Sequence, residues 1–133
     1  MRQRLIVILI AMFASGAYAG DSDFKDEVSH LLDFIEHSDC TFIRNGKRYN
    51  PVDARAHIER KFNHIEKRIS TTEQFIRYGA SKSSITGRPY QVECGTVSIP
   101  AAQWLEEELV RDREGRATSG QSSAQVVPDR SGD

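Results

Sequence analysis

The sequence lacks most of what a membrane-spanning, multidomain or nucleic-acid-binding protein requires. Its one extended apolar run, Leu5 to Ala14, is ten residues long, about half the ~20 that span a bilayer as a helix. Its 133 residues suit one domain and leave no room for a repeat array. No internal repeat is legible. Lysine and arginine number 18 against 19 acids, so the basic surplus that grips nucleic acid is missing. The two cysteines show no C-x-x-C spacing and the histidines no H-E-x-x-H spacing, which removes two common zinc motifs. The G-x-S-x-G nucleophile elbow and the G-x-x-x-x-G-K-[ST] phosphate loop are also absent.

What is present begins with an export signature. Arg2 and Arg4 form a short basic start, the apolar run follows, and Ala17-Tyr18-Ala19 supplies a small-x-small cleavage site. This three-part layout is that of a secretory signal peptide with cleavage expected after Ala19. Removing residues 1–19 leaves 114 of the 133 residues, and the loss of two arginines and no acid moves the net charge from −1 to −3. The mature chain keeps no stretch that can span a membrane. No cysteine directly follows the apolar run, which argues against a lipid anchor. A periplasmic or secreted location is expected.

Cys40 and Cys94 both lie in the mature part. An even cysteine count in an exported chain points to a disulfide, with two free thiols as the alternative. The bridge would close a loop running from Cys40 to Cys94, worth roughly 4 kcal/mol by chain entropy. That is a large contribution to a domain with so small a core.

The periodicities predict an α+β fold: a small antiparallel sheet, made of a hairpin plus one further strand, packed against about four helices. Phe24, Val28, Leu31, Leu32 and Ile35 form one helical stripe within a helix from Asp23 to about His37. Asn45-Gly46 between two extended runs predicts a type I′ hairpin that pairs Arg44 with Lys47 and Phe42 with Tyr49. Asn50 and Pro51 open a second helix with Ala54, Ile58, Phe62, Ile65 and Ile69 inward. Ser70-Thr71-Thr72-Glu73 reads as a capping box for a short third helix. Ser81 to Pro89 is a loop, Tyr90 to Cys94 a strand that Gly95 and Thr96 end, and Ser98 and Pro100 begin a last helix through Arg113. Gly115 reads as its stop. The domain organisation expected is a signal peptide over 1–19, one domain over 20–114 and a disordered tail over 115–133.

Four motifs occur in order: Phe42-Ile43-Arg44-Asn45-Gly46, Ala54-x-x-His57-Ile58, Thr72-Glu73-Gln74-Phe75-Ile76, and Ser83-Ser84-Ile85-Thr86-Gly87-Arg88-Pro89-Tyr90. With these the chain resembles the YfeK-like family of small exported bacterial proteins, a domain of unknown function, over about residues 24 to 113. The resemblance implies a periplasmic protein without an assigned activity, and it supplies no catalytic residues. Lys82 and the cysteine pair lie outside the family pattern, so roles given to them rest on this sequence alone.

The richest candidate surface is the loop Ser81-Lys82-Ser83-Ser84-Ile85-Thr86-Gly87-Arg88. Hydroxyls, backbone N–H groups and two cations in a short loop can hold an anion. The hairpin adds Arg44, Asn45, Lys47 and Arg48. The competing reading is a solvated turn with scattered charge. His57, Lys61 and His64 lie at i, i+4 and i+7 of the second helix, with Asp53 one turn before His57. His57 can organise a site against the hairpin or loop, or simply pair with Asp53. A hydrolase would have to use Ser81 or Ser83 with Lys82 or His57, but sequence adjacency does not set an amine against a hydroxyl. His30 and His37 are about 10 Å apart along a helix, too far to share an ion. Glu106-Glu107-Glu108, and Glu59 with Glu66, read as solvated helix charge rather than a glycosidase pair.

The sequence therefore predicts a non-catalytic binding module with no cofactor and no metal. Its candidate contact residues are Arg44, Asn45, Lys47, His57, Ser81, Lys82, Ser83, Ser84, Thr86 and Arg88. The expected partner is an envelope protein or an anionic envelope component. Alternatives are an inhibitor or immunity protein against a secreted enzyme, a cell-envelope hydrolase, and a hydrogen-bonded fold latch made of Arg44, Asn45 and the serine loop.

Overall fold

A computed structural model describes residues 21–123. The expected signal peptide and residues 124–133 of the expected tail lie outside the described residues. Along the chain run α1 (Asp21–Glu36), β1 (Thr41–Arg44), β2 (Lys47–Tyr49), α2 (Pro51–Ile65), α3 (Thr72–Phe75), β3 (Gln91–Cys94), β4 (Val97–Pro100) and α4 (Ala101–Ser123). A 3-10 turn, Glu66–Arg68, follows α2, and a π-helical turn, Ile76–Ala80, continues α3. The class is α+β, with four helices and one antiparallel sheet in the order β2-β1-β3-β4.

The first hairpin has the expected register, Phe42 opposite Tyr49 and Arg44 opposite Lys47. Asn45 and Gly46 both take positive φ, 51° and 78°, as a type I′ turn demands. The second hairpin is a correction. Val97–Pro100 is a fourth strand, not the start of the last helix, and Gly95-Thr96 is its two-residue turn. Its apolar alternation, Val97 and Ile99, is too short to stand out beside Pro100. The proline sits on the outermost strand, where its missing N–H costs no ladder bond.

The two halves of the sheet repeat each other. Each is a hairpin with a two-residue turn, running through a proline into a long helix. The halves meet where β1 pairs with β3, with Phe42 opposite Val92. That register sets Cys40 against Cys94 at one end and Arg44 against Tyr90 at the other. This approximate two-fold relation is structural and leaves no repeat in the sequence, because the paired positions carry different residues.

The Cys40–Cys94 disulfide is formed, with Cα atoms 4.6 Å apart, the spacing of a non-hydrogen-bonded antiparallel pair. Strand alternation puts the disulfide and the Phe42–Val92 pair on the face that the helices cover. There Trp104 of α4 stacks on Phe34 of α1 at 4.4 Å and meets Phe42 edge-on at 5.5 Å. The α1 stripe is buried in full. From α2, Ala54 and Ile58 are buried and Phe62 packs at the core's margin, as does Ile69, which lies beyond the helix end at Ile65.

Two boundaries differ from expectation. The capping box lies one residue later: Thr71 Oγ1 accepts from Gln74 N, and Gln74 Oε1 accepts from Ser70 N and Thr71 N. The α4 helix runs through Gly115 to Ser123, so residues 115–123 continue it instead of forming a structureless tail. Gly115 stops a helix only by turning left-handed, and here it has no positive φ. The inward stripe nevertheless ends at Leu109. Beyond it Arg113 clasps Glu27 of α1 through Nε and Nη2, at 2.7 and 2.9 Å, and Glu73 of α3 through Nη1 at 2.6 Å.

The chain-entropy relation makes the bridge a main stabiliser of this small core. Reduction, or the Cys40→Ala/Cys94→Ala pair, is expected to lower the unfolding free energy by about 2–4 kcal/mol. Urea denaturation with and without reductant checks this, and superimposable curves would refute it.

Candidate functional site

The end of the central strand pair opposite the disulfide is polar. β1 delivers Arg44 and the residue before β3 delivers Tyr90, both on the helix-covered side. The second helix crosses this end and presents His57 and, one turn later, Lys61. Arg44 Nη1 lies 2.7 Å from Nδ1 and 2.9 Å from Nε2 of His57. His57 Nε2 is 3.1 Å from Tyr90 Oη. Lys61 Nζ donates to the Lys82 carbonyl at 2.7 Å and to Tyr90 Oη at 3.3 Å. The Arg44 guanidinium stands over the Tyr49 ring at 5.5 Å and the Lys61 ammonium over Tyr90 at 5.1 Å, both within cation–π reach. A cavity of about 30 Å³, roughly one water in size, is lined by Arg44, His57, Tyr49 and Tyr90 with apolar neighbours.

This environment keeps His57 neutral. Burial first, then the charges of Arg44, Lys61 and Arg60, lower its pKa from 6.5 to about 4. A neutral ring accepts from Arg44 at one nitrogen and donates from the other to Tyr90. Burial also lowers Lys61, helped by Arg44 and Lys82, and raises the Tyr90 hydroxyl. His57 does not pair with Asp53. The Asp53 carboxylate accepts from Asn50 Nδ2 at 2.9 Å, while Asp53 N donates to Asn50 Oδ1.

The serine loop is a folded object. Ser83 is buried, and its Oγ accepts from Asn45 Nδ2 at 3.2 Å and from the amides of Ile85 and Thr86 at 3.4 and 3.3 Å. Thr86 Oγ1 donates to Asn45 Oδ1 at 2.6 Å. Across the loop, Ser83 N donates to Arg88 O and Gly87 N to Ser83 O. Gly87 holds φ at 71°, which explains the glycine, since nothing crowds its missing Cβ. The hairpin turn and the loop are thus bolted together through Asn45, Ser83 and Thr86. The outward result is Ile85, 94% exposed at the tip.

Of the candidate residues, Arg44 and His57 meet at the polar corner, and Asn45, Ser83 and Thr86 meet in the loop lock. Ser81 spends its hydroxyl on the Arg77 carbonyl at 2.5 Å. Lys47, Lys82, Ser84 and Arg88 are exposed around these groups. Neither Ser81 nor Ser83 is hydrogen-bonded to Lys82 or His57. Among the described residues no group of three His, Cys, Asp or Glu side chains is placed to hold a metal ion, and no helix is long and apolar enough to cross a membrane. His30 instead donates to Glu108 at 2.8 Å. The sequence reading left Lys61, Tyr90 and Ile85 unassigned. Lys61 carried a signal, one turn after His57 on the same helix edge. Tyr90 carried none, because its place depends on the β1–β3 register.

Two expectations follow. His57 binds a proton more weakly folded than unfolded, so protons favour the unfolded chain between the two values. Its contribution to stability is complete above about pH 6.5 and drains away as pH falls towards 4, on the order of 1 kcal/mol after solvent screening. Glu27 and Glu73, lowered chiefly by hydrogen bonds from Arg113, add a loss as pH falls below their ordinary value of 4.5. Melting curves from pH 8 to 3 should show both phases, with His57→Gln removing the upper one. A flat profile from pH 7 to 4.5 in the unaltered chain would contradict the placement of His57. Separately, Asn45→Ala should cost about 1 kcal/mol and speed amide exchange at Ile85 and Thr86. Unchanged exchange there would mean that the lock does not hold the loop.

The family of unknown function DUF5329 matches residues 22–113, from the start of α1 to the Arg113 clasp. An uncharacterized protein YfeK of Salmonella typhimurium strain LT2 is 47% identical over 92 residues, covering 68% of this chain and 77% of the relative. No solved structure matches the chain. The matched span contains the whole sheet, the disulfide, the polar corner and the serine loop, and on that match the chain belongs to the DUF5329 family of unknown function.

Proposed function

We propose that this chain is an exported, non-catalytic binding protein that engages an envelope protein through the tip of the Ser81–Pro89 loop and the adjoining hairpin turn. The observation that carries the reading is Ile85, 94% exposed on a loop whose backbone is already fixed by Ser83, Asn45 and Thr86. An apolar anchor on a pre-ordered loop binds without the entropy cost of ordering that loop. Lys47, Lys82 and Arg88 flank it and are engaged in no ion pair among the described residues, which favours an acidic rim on the partner. Export is supported by the basic start, the apolar run and the Ala17-Tyr18-Ala19 signal, and by the disulfide. An inhibitor or immunity protein is the narrower form of this reading, since a rigid presented loop suits blockade of an enzyme cleft.

The reading of Asn45 and the loop as a fold latch has its own support in the Asn45–Ser83–Thr86 bonds. The two are compatible, because the latch presents what the tip uses.

The test is crosslinking capture from native periplasm with the full exported chain beside Ile85→Asp and Lys82→Glu, each checked for an unchanged melting temperature. A protein held by the unaltered chain and weakened about tenfold or more by Ile85→Asp is expected of a central anchor. Capture indifferent to both substitutions would move the contact elsewhere.

A further inference from the structure

Arg48, Arg55, Arg111, Arg113 and Arg116 each pair with a carboxylate. Among the described lysines and arginines that pair with none, Arg44, Lys61 and Lys82 are set apart by being gathered at one corner. Arg44 and Lys61 are joined through His57 and Tyr90 by contacts of 2.7, 3.1 and 3.3 Å. Lys82 is tied in by its carbonyl, 2.7 Å from Lys61 Nζ. Among the described residues Arg44 engages protein acceptors through Nη1, which leaves its Nη2 and Nε available. Lys61 uses two of its three donors.

Positive groups held together without a counter-charge repel one another, and half-burial strengthens the repulsion. The fold accepts this cost with rigid anchors on α2, β1 and the loop. Burial and neighbouring cations depress both His57 and Lys61. Among the described residues the charged groups that act on His57 are cations: Arg44 from the hairpin, and Arg60 and Lys61 from its own helix. Lys82 reaches Lys61 from the loop. The rings of Tyr49 and Tyr90 wall the space.

We propose that this corner is an oxyanion site, in which a carboxylate or phosphate group is held by the free donors of Arg44 and by Lys61, with Lys82 at the rim. A guanidinium fork and an ammonium are the two donor types that recognise such groups. The cavity beside Arg44, about 30 Å³ and mostly apolar in its lining, is too small to take in such a group, so the ligand is held on the solvent side of the corner. The site does not depend on the loop-tip reading and is tested with small ions, without any partner.

An anion bound here offsets the cationic part of what, after burial, keeps His57 unprotonated. By linkage, occupancy must raise the apparent pKa of His57, and protonation must tighten anion binding by the same factor. The experiment is a proton NMR titration of the histidine rings in the full exported chain, with His57 assigned by comparison with His57→Gln. Inorganic phosphate and sodium acetate are the two probes, each against sodium chloride at equal ionic strength. The expected result is a saturable shift of His57, with its apparent pKa rising by about one unit, while His30, His37 and His64 follow the chloride control. Response to phosphate alone identifies a phosphate-selective site, and response to both a general oxyanion site. Lys61→Met should weaken binding about tenfold. Lys82→Gln, at an exposed position that does not risk the fold, should weaken it by a smaller factor. If neither probe moves His57 beyond chloride, or if Lys61→Met binds as the unaltered chain does, the assignment is wrong.

Discussion

The pairing of β1 with β3 is the constraint on which the rest of this structure depends. Three successive residue pairs face the helices along it. Cys40–Cys94 closes one end, Phe42–Val92 forms the centre, and Arg44 faces Tyr90 at the other end. One ladder thus carries the covalent staple, the middle of the core and the polar corner. A shift by one residue would turn all three pairs to the outer face. The disulfide fixes the register at one end and therefore also sets where Arg44 meets His57 at the other.

The approximate two-fold arrangement explains the division of labour. Cys94 occupies in the second half the place that Arg44 has in the first, and Cys40 the place of Tyr90. A symmetric frame with unlike residues at its equivalent corners makes one corner structural and leaves the other available. The helices follow the same economy. Arg113 ties α1, α3 and α4 together with compensated charge, whereas the corner under α2 gathers cations and leaves them uncompensated. The first is how a surface network behaves when its purpose is holding helices. The second is costly unless something else supplies the negative charge.

The loop shows why backbone accounting matters more than residue class. Read as composition, Ser81 to Arg88 is a run of hydroxyls and cations. In the structure three of its four hydroxyls are spent on partners within the protein. Ser81 is spent on Arg77, and Ser83 and Thr86 on Asn45 and on the loop's own amides. Among the side chains it leaves exposed is the one that composition made least of, Ile85.

Much of the fold was legible in the residues, because local patterns have local causes. The α1 stripe, the Asn45-Gly46 turn with its register, the Asn50-Pro51 helix start and the Tyr90–Cys94 strand each follow from spacing, capping or φ preference. The fourth strand was hidden because a four-residue strand has too few alternations to register, and the continuation of α4 because a glycine ends a helix only if it turns left-handed. The site was legible in part. Arg44, His57 and the loop stood out as polar residues in suggestive places, and the even cysteine count pointed to the bridge. That Lys61 and Tyr90 complete the corner, and that its cations have no carboxylate, was decided only by tertiary structure. Those contacts join residues 13 to 33 positions apart, and a contact of that kind is fixed by strand register and helix crossing, which no local pattern encodes.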